Sequence, residues 1–599
     1  MTAIANPVPQ EEFQNPRRME SRERDAGKLM SKALVGLPDR APYMRRWKVA
    51  QEIRQPMESV YREVRDYILP SLGRYLSGED SDNHDYSVNH SFILDSSPTK
   101  MALTAADGLH GGLTNQAEQW FSLYVGNYKD YENTFSADAK AYITNAQECT
   151  RDTLSISNFY SAIYQFYLEV MGFGVALMLI LSDPITRARY FTKTIGTYWL
   201  TQDSSMRIDA VFIRSTVRAL DIVKDYGSGN CPQRVLEAVE RNPDRQFAII
   251  QCIQPWNFFG RNKPHLDFKY EDVRWVEGGD DNEKILFRGG YRTKPFVAMR
   301  WTDAGDAVYS RSCPGLDALP DVKQLQEMTL DFNKATKWLS DPAWLNASQA
   351  EIDEIIPGGI YKTVGDPRAA MLQPLIPPQF NLQANTEAAQ ALRDRISAIF
   401  YNREILLVQS RQRQITATEV DQLVVEKNTV LGPITARTGD NALIPILDRT
   451  YEIESVELNI LQDPPEEIQG LEVKPYFSGQ LARAQRQGQV MSQATQALQI
   501  AGTLAGLAQV SPSAADGLLA FDFSGMVRAL DEVEVFPSGT VHTQDEIDEL
   551  KAQQAQAMQQ QQQAAGMQQM VDMAKTAGDT SVAPDTLLGQ MAGGGEGTA

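Results

Sequence analysis

The stretch "PDVKQLQEMTLDFNKATKWLSDP", residues 320–342, contains the clearest helical pattern in the chain. Its apolar side chains recur every three or four positions, at Val322, Leu325, Met328, Phe332, Ala335 and Leu339. That spacing places them on one face of an α-helix, and Asp341 with Pro342 ends the pattern. The stretch therefore predicts a helix of about 21 residues, which would be about 30 Å long.

A proline-rich segment follows this helix. Residues 342–384 include "PGGIYKTV" and "PLIPPQF", whose composition favours turns and short strands. A second helix is predicted from about residue 386 to 401, with apolar side chains at Leu392, Ile396, Ile399 and Phe400. The sequence therefore predicts a compact non-helical module held between two long helices.

A polar loop, "NREILLVQSRQRQ" (residues 402–414), separates the second helix from "TATEVDQLVVEKNTVLGPITAR" (residues 416–437). Thr416 and the glutamate three residues later fit a capping box at a helix start. Gly432 and Pro433 then interrupt the helical pattern, and an interior proline costs about 3 kcal/mol. Either the dipeptide kinks one long helix, or a turn at this point joins two separate helices.

The N-terminal part of the chain begins with a polar, charged and proline-bearing stretch, residues 1 to about 30. This composition favours a flexible or extended arm. A helix is predicted next, over residues 43–69, and its apolar face would carry Trp47, Ile53, Val60, Val64 and Ile68.

The region that follows mixes helical and strand patterns. Residues 96–113 and 136–170 look helical, and the aromatic and β-branched segments "GVALMLILSD", "RYFTKTIGTYWLTQD" and "IDAVFIRSTV" predict strands. The stretch "ILFRGGYRTKPFVAMRW", residues 285–301, predicts a hairpin that turns at Gly289 and Gly290. A further strand is predicted in "LEVKPYF", much later in the chain.

The C-terminal part is rich in alanine, glutamine and glycine. Helices are predicted over residues 480–510, over residues 524–533 and from residue 543. The last of them runs into "QQAQAMQQQQQAAGMQQM" and then "GGGEGTA". Such low complexity cannot bury a core, so frayed helix or disorder is expected there.

Composition limits the classes of function. A chain of 599 residues is too long for one simple core, so several domains or one elongated subunit are expected. The net charge of -20 argues against broad binding to nucleic acid, because neutralisation of phosphates supplies most of that affinity. The four cysteines are scattered, which predicts reduced structural thiols. No signal-peptide pattern opens the chain, and the most apolar run, residues 170–181, is too short to span a bilayer.

Patterns typical of enzymes are missing from the sequence. The five histidines include no HExxH and no pair at metal-ligand spacing. The glycine-rich "ADGLHGGLT" lacks the GxxxxGK[ST] that cradles phosphates, and no GxSxG elbow occurs. We therefore expect no catalytic residues, no metal and no cofactor.

Seven blocks, taken in order, resemble the head-to-tail connector, or portal, proteins of short-tailed bacteriophages. Each block alone is a weak signal, but together they span some 460 residues between about 30 and 490. One departure is Cys313, where relatives more often carry Ser-Pro. The blocks are "LPSLGRYL", "LTAADGLHGGLTNQAEQWFSL", "FYSAIYQFYLEVMGFGVALMLI", "VYSRSCPGLDALPDVKQLQEM", "ITATEV", "LGPITAR" and "YFSGQLARAQR".

The resemblance implies a fold class and a division of the chain. The fold would be α+β and mostly helical, an elongated subunit with an α/β wing, a two-helix stem, a small α/β clip, a kinked long helix and a helical crown. The implied segments are a flexible arm 1–30, wing 31–316, first stem helix 317–341, clip 342–384, second stem helix 385–401, channel loop 402–415, kinked helix and wing return 416–480, crown 481–545 and a Gln/Gly-rich tail 546–599.

The same resemblance implies a function and partners. Portal subunits form a ring, usually of twelve, at one vertex of the capsid, and the ring is the channel through which DNA is packaged and ejected. The implied partners are further copies of the chain, capsid and scaffolding proteins, terminase, tail adaptor proteins and the double-stranded DNA in the channel. The implied location is the virion, with host cytoplasm during assembly, and no membrane is involved.

Three arginines stand out against the acidic charge of the chain. An acidic channel wall repels phosphates and lets DNA slide, whereas Arg403, Arg411 and Arg413 are concentrated on the predicted channel loop. Either at least one of them faces the lumen and contacts DNA, or all three pair with acidic groups of neighbouring subunits. In the portal architecture that the resemblance implies, Gly432 and Pro433 would redirect the chain from the channel loop towards the wing.

Two other classes of protein are alternatives: an enzyme, whose usual motifs are missing from the sequence, and a scaffold or membrane-surface protein. A scaffold or membrane-surface protein built on amphipathic helices would show polar faces rich in Lys and Arg, whereas these faces are balanced or acidic. Another non-enzymatic ring component of the head–tail junction is the alternative within the same class.

Overall fold

The structure is a computed structural model, and it describes most of the chain between residues 40 and 477. All described residues except Gln499 belong to the compact unit Met1–Gln485. Helices and strands are mixed within it, and helical residues outnumber strand residues, as the α+β prediction requires. The described ranges are 40–73, 92–126, 135–256, 268–280, 283–303, 307–340, 344–345, 373–374, 382–403, 431–461, 463–471, 473–477 and residue 499.

Six helices precede or interrupt the sheets in the first half of the described chain. The helical region predicted over residues 136–170 is present, and it consists of two helices separated at Ser157 and Asn158. The bounds are α1 Ala41–Tyr67, α2 Ser97–Leu113, α3 Ala137–Ile156, α4 Phe159–Phe173, α5 Ala219–Tyr226 and α6 Gln233–Arg241.

Helix α1 has one buried face, but that face differs from the predicted one. Trp47, Val64 and Ile68 are buried, whereas Ile53 is 36% exposed, so Ile53 does not share the buried face with the other three. Arg54 occupies the buried face instead, where its guanidinium lies 3.8 Å from the ring centroid of Trp199. A cation is stable at this site because Glu58 pairs with it and the Tyr198 carbonyl accepts from it at 2.8 Å.

Two larger sheets form the β part of the fold. Strand β2 is central in the antiparallel three-stranded sheet of order β3-β2-β9, and the other sheet has five strands in the order β4-β5-β6-β7-β8. The first six residues of β2 are all buried, as a strand covered on both faces must be. The bounds are β1 Phe121–Val125, β2 Val175–Asp183, β3 Arg187–Lys193, β4 Tyr198–Gln202, β5 Ile208–Arg218, β6 Gln246–Pro255, β7 Tyr270–Val276, β8 Phe287–Tyr291 and β9 Phe296–Arg300.

The hairpin predicted around Gly289 and Gly290 was wrong. Both glycines lie inside β8, which pairs with β7, whereas β9 pairs with β2 in the other sheet. Gly290 is required by a close approach rather than by a turn, because a Cβ there would lie 2.8 Å from the Tyr270 carbonyl oxygen. The segment therefore crosses from one sheet to the other.

Side chains cover the unpaired edges of two strands, β3 and β4. On β3, Asn158 accepts a hydrogen bond from the Tyr190 amide at 2.9 Å and donates to the carbonyl of the same residue at 2.6 Å. On β4, the Tyr309 hydroxyl accepts from the Leu200 amide at 2.9 Å, and Arg54 donates to the next outward carbonyl. These contacts satisfy backbone groups that would otherwise lack a partner strand.

The core is divided among three clusters of buried side chains. The largest joins α2, α3, α4 and the β2 sheet to the base of the long helices described below. A second, aromatic cluster lies between α1 and the five-stranded sheet, where Trp47 packs edge-on against Trp199 with centroids 4.3 Å apart. The third packs α5 and α6 against the same sheet.

The second half of the described chain is mainly helical. Residues 431–438 are helical and continue into a π-helical turn, then α9, then a second π-helical turn. Strand β12 pairs antiparallel with β1, and β10 pairs antiparallel with β11, so the strand predicted in "LEVKPYF" is present. The bounds are α7 Pro314–Ser340, β10 Trp344–Leu345, β11 Gln373–Pro374, α8 Leu382–Ile399, π-turn Gly439–Leu443, α9 Ile444–Glu452, π-turn Ile453–Glu457 and β12 Val473–Phe477.

Candidate functional site

The two long helices α7 and α8 pack against each other in antiparallel orientation, with the end of α8 beside the start of α7. Helix α7 has 27 residues and is about 40 Å long; it begins at Pro314, three residues before the implied stem boundary at residue 317 and six before the apolar pattern at Pro320. Val322 and Leu325, near its start, are fully buried, whereas Leu330 is 41% exposed. On α8 the gradient is reversed: Leu392 and Ile396, near its C-terminus, are the buried ones. The pair is therefore rooted in the core at one end and exposed at the other.

The root of α7 packs unusually closely against the end of α4. A Cβ on Gly315 would lie 2.8 Å from the Cα of Gly172, and it would also meet the carbonyl oxygen of that residue. Beside this contact the buried Cys313 thiol donates to the Gly172 carbonyl at 3.4 Å. The cysteine that departs from the family pattern therefore serves as a buried packing residue, and burial raises its pKa to about 12.

A glutamine clamps the middle of α7 to the segment that enters α2. Gln326 is only 4% exposed, and its Oε1 accepts from the amides of Leu94 and Asp95, both at 2.8 Å. Its Nε2 donates to the Asp95 carbonyl at 2.8 Å. Both functional ends of the amide side chain are thus used, which fixes α7 relative to α2.

Helix α8 is tied to the same segment by charge. Arg393 pairs with the Asp95 carboxylate at 2.8 Å, and Arg395 pairs with Asp321 of α7 at 2.6 Å. Burial alone would raise the pKa of Asp95, but hydrogen bonds from Ser97 and the Arg393 guanidinium bring it below its ordinary value. The root of the helix pair is therefore held by an ionised carboxylate as well as by apolar packing.

The predicted channel loop lies almost entirely outside the described residues. Arg403 is described and exposed, one residue after the buried Asn402, at the point where the chain leaves α8. Arg411 and Arg413 lie outside the described part of the chain. The structure therefore locates one of the three arginines at the root of the helix pair and leaves the other two as predictions.

The described chain resumes at Leu431, directly before Gly432 and Pro433. These two residues are helical, but residues 404–430 lie outside the described range, so the predicted kink stays a prediction. The helix beyond them departs from α geometry at the two π-helical turns, which the sequence pattern does not predict. Thr435 and Thr438 also donate to carbonyls four residues back, a contact that bends helices.

A buried carboxyl group, that of Glu454, joins the second π-helical turn to helix α3. Thr150 of α3 donates to Glu454 at 2.8 Å, and the side chain of Glu454 is fully buried. Burial raises the pKa of Glu454 to about 7, although hydrogen bonds from Thr153 and Thr150 act in the opposite direction. Sequence reasoning missed this residue, because a glutamate in "YEIESVEL" looks like part of a solvated helix face.

The described ranges contain neither a candidate metal site nor a helix that could cross a membrane. No group of three His, Cys, Asp or Glu side chains there could hold a metal ion. No described helix is long and apolar enough to cross a bilayer. All four cysteines are free, and three of them are buried, as the prediction of structural thiols requires.

Comparison with known proteins identifies the family. A family model described as bacteriophage head to tail connecting protein matches residues 40–538. The probable portal protein of Bordetella phage BPP-1 is 28% identical over 562 residues, which cover 92% of this chain and 97% of that protein. The portal protein of Salmonella phage epsilon15 is 25% identical over 545 residues, 89% of this chain and 94% of that one.

A solved structure shows only a distant likeness. It is described as the neck of an empty GTA particle computed with C6 symmetry, is 9% identical and has a TM-score of 0.29, with 67% of this chain and 87% of that chain covered. That score is too low to support any argument. The family model, in contrast, spans most of the sequence, and this chain therefore belongs to the bacteriophage head to tail connecting protein family.

Proposed function

We propose that this chain is a portal subunit, one copy in a ring at a single capsid vertex that serves as the channel for DNA packaging and ejection. The observation that carries the proposal is the family match over residues 40–538, together with two portal-named relatives that align over about nine-tenths of the chain. The ring also provides the platform on which terminase and, later, tail adaptor proteins dock. The chain itself performs no catalysis in this role.

The helix pair supports a division of the subunit into functional parts. In this proposal α7 and α8 form the stem, residues 342–384 form the clip beyond its exposed end, and residues 31–316 with the return 416–480 form the wing. Residues 481–545 form the crown inside the capsid. The supporting observation is the gradient of burial along both helices, because a stem must leave the wing and present its far end to partners.

Ring assembly is directly testable. Twelve copies of the 66.9 kDa chain amount to roughly 0.8 MDa, so light scattering should report a particle of this mass and electron micrographs should show a central hole. A closed ring of identical subunits uses one heterologous interface repeated around the axis. A chain that stays monomeric at high concentration, with and without scaffolding protein, would refute the proposal.

The channel loop is the proposed contact with DNA. Arg403 is exposed where the chain leaves the stem, and Arg411 and Arg413 follow it within ten residues. Replacing all three with glutamate should leave rings intact and reduce packaging or retention of DNA, because like charges repel phosphates. Unchanged packaging and retention would favour the other interpretation, in which the arginines pair with acidic groups of neighbouring subunits.

A further inference from the structure

An open groove on the body of the subunit has no role in the stem, the clip or the channel loop. It has a volume of about 1000 Å³ and lies between α1 and the β4–β5 turn, next to residues 307–311. Helix α1 contributes Val49, Ile53, Pro56 and Met57 to one wall. Val49 is 50% exposed and Ile53 36% exposed, so α1 has a second apolar stripe besides its core face.

The floor of this groove already satisfies its own polar groups. Arg46 pairs with Asp209 at 2.7 Å and donates to Thr201 at 3.1 Å. The same arginine also donates to Gln254, which lies deep in the sheet. Because the charges of Arg46 and Asp209 are paired with each other, the floor of the groove offers mainly apolar contact, and the charged groups Asp203 and Arg311 lie elsewhere in its lining. A largely apolar peptide segment fits this chemistry better than a polar metabolite.

The sequence that precedes α1 contains such a segment. Residues 29–35 read "LMSKALV", and Gly36, Pro38 and Asp39, which follow, are residue types that favour a turn. Arg40 then leads directly into α1. The lysines at 28 and 32 are the only charges between 28 and 38, and the groove wall includes the carboxylate of Asp203.

The lengths match. Val49 and Ile53 lie nine and thirteen residues after Arg40, about 14 and 20 Å along a helix. Residues 29–35 lie five to eleven positions before Arg40, which allows a reach of about 16 to 36 Å in an extended chain. A segment attached at this distance is also present at an effective concentration in the millimolar range, so modest contacts suffice to hold it.

We propose that the groove beside α1 binds residues 29–35 of the same chain, with the chain doubling back after Gly36. The leucines at 29 and 34 fill the space next to Val49 and Ile53. The N-terminal arm thereby covers an apolar surface of its own subunit, whether or not that subunit is part of a ring.

The test is thiol labelling of a Val49→Cys variant by a maleimide in dilute, monomeric full-length protein. The native thiols interfere little, because three are buried and burial raises the pKa of Cys149 to about 12. Adding Leu29→Asp and Leu34→Asp should speed labelling of residue 49 about tenfold, since one leucine-sized contact is worth roughly that factor. Ser31→Asp, a change at a polar position of the same segment, is the matched control and should leave the rate unaltered.

A second thiol separates release of the arm from loss of the fold. Leu220 is 48% exposed on α5 and does not line the groove, so a cysteine there should label equally fast in every background. Equal labelling of residue 49 with and without the two aspartates would overturn the proposal. Protection that appears only as protein concentration rises would also overturn it, because the groove would then belong to an interface with a second copy.

Discussion

Substitution of Gln326 by leucine should loosen the root of the helix pair. The two side chains are similar in size, so packing of α7 is preserved while three hydrogen bonds of 2.8 Å are lost. Each buried polar group left without a partner costs about 1–3 kcal/mol, and the backbone groups of Leu94 and Asp95 are only partly buried. We therefore expect the free energy of unfolding to fall by about 2–4 kcal/mol.

The assay combines a global and a local measurement on monomeric protein. Urea denaturation gives the change in unfolding free energy, and hydrogen exchange reports the amides of Leu94 and Asp95, which should exchange faster in the variant. Gln324→Leu is the matched control, because Gln324 lies on the same helix but is exposed. If the two variants differ by less than about 0.5 kcal/mol and exchange at both amides is unchanged, the clamp assigned to Gln326 is refuted.

Three further outcomes are expected. Glu454→Gln should remove a pH dependence of the stability. The pKa of Glu454 is about 7 in the folded protein and 4.5 for an ordinary glutamate, so the free energy of unfolding of the wild type falls as the pH rises between these two values. In denaturation experiments the variant should be more stable than the wild type by up to about 3 kcal/mol at pH 8 and equally stable at pH 4. Gly315→Ala should cost about 1–3 kcal/mol, because its Cβ meets backbone, whereas Gly111→Ala, with nothing within 4 Å, should be neutral or stabilising by thermal melts. The double change Gly432→Ala and Pro433→Ala should strengthen the local helix yet reduce the fraction of closed rings in micrographs; normal rings with normal packaging would leave the dipeptide as a simple boundary.

Local patterns in the sequence were sufficient for α7, whose burial is one-sided, and for β2, which is buried on both faces. The stripe that begins at Val322 predicted α7, and the apolar run in residues 175–180 predicted β2. Periodicity was insufficient for strand pairing. β8 and β9 both look like strands and are separated by four residues, but their partners are β7 and β2, so a turn-like Gly289-Gly290 pair misled the prediction.

Gln326 and Glu454 were also hard to predict, because their hydrogen-bond partners are distant in the sequence. Gln326 is buried against partners from a segment more than 230 residues earlier in the chain. The residues next to a glutamine in the sequence do not reveal so distant a contact. Glu454 is similar, since Thr150 lies 304 positions away. The position of Arg403 just after α8, in contrast, could be predicted because it depends only on where a helix ends; its role in the channel loop stays a prediction.

The covered edges of β3 and β4 have a consequence for assembly. A virion component is made in many copies, and a bare strand edge on each copy would allow sheets to extend from molecule to molecule without limit, as in amyloid. The side-chain amide of Asn158 and the hydroxyl of Tyr309 occupy backbone groups that such growth would use. Asn158 and Tyr309 thus remove backbone positions at which a strand of another molecule could pair, which favours association through surfaces that can close into a finite particle.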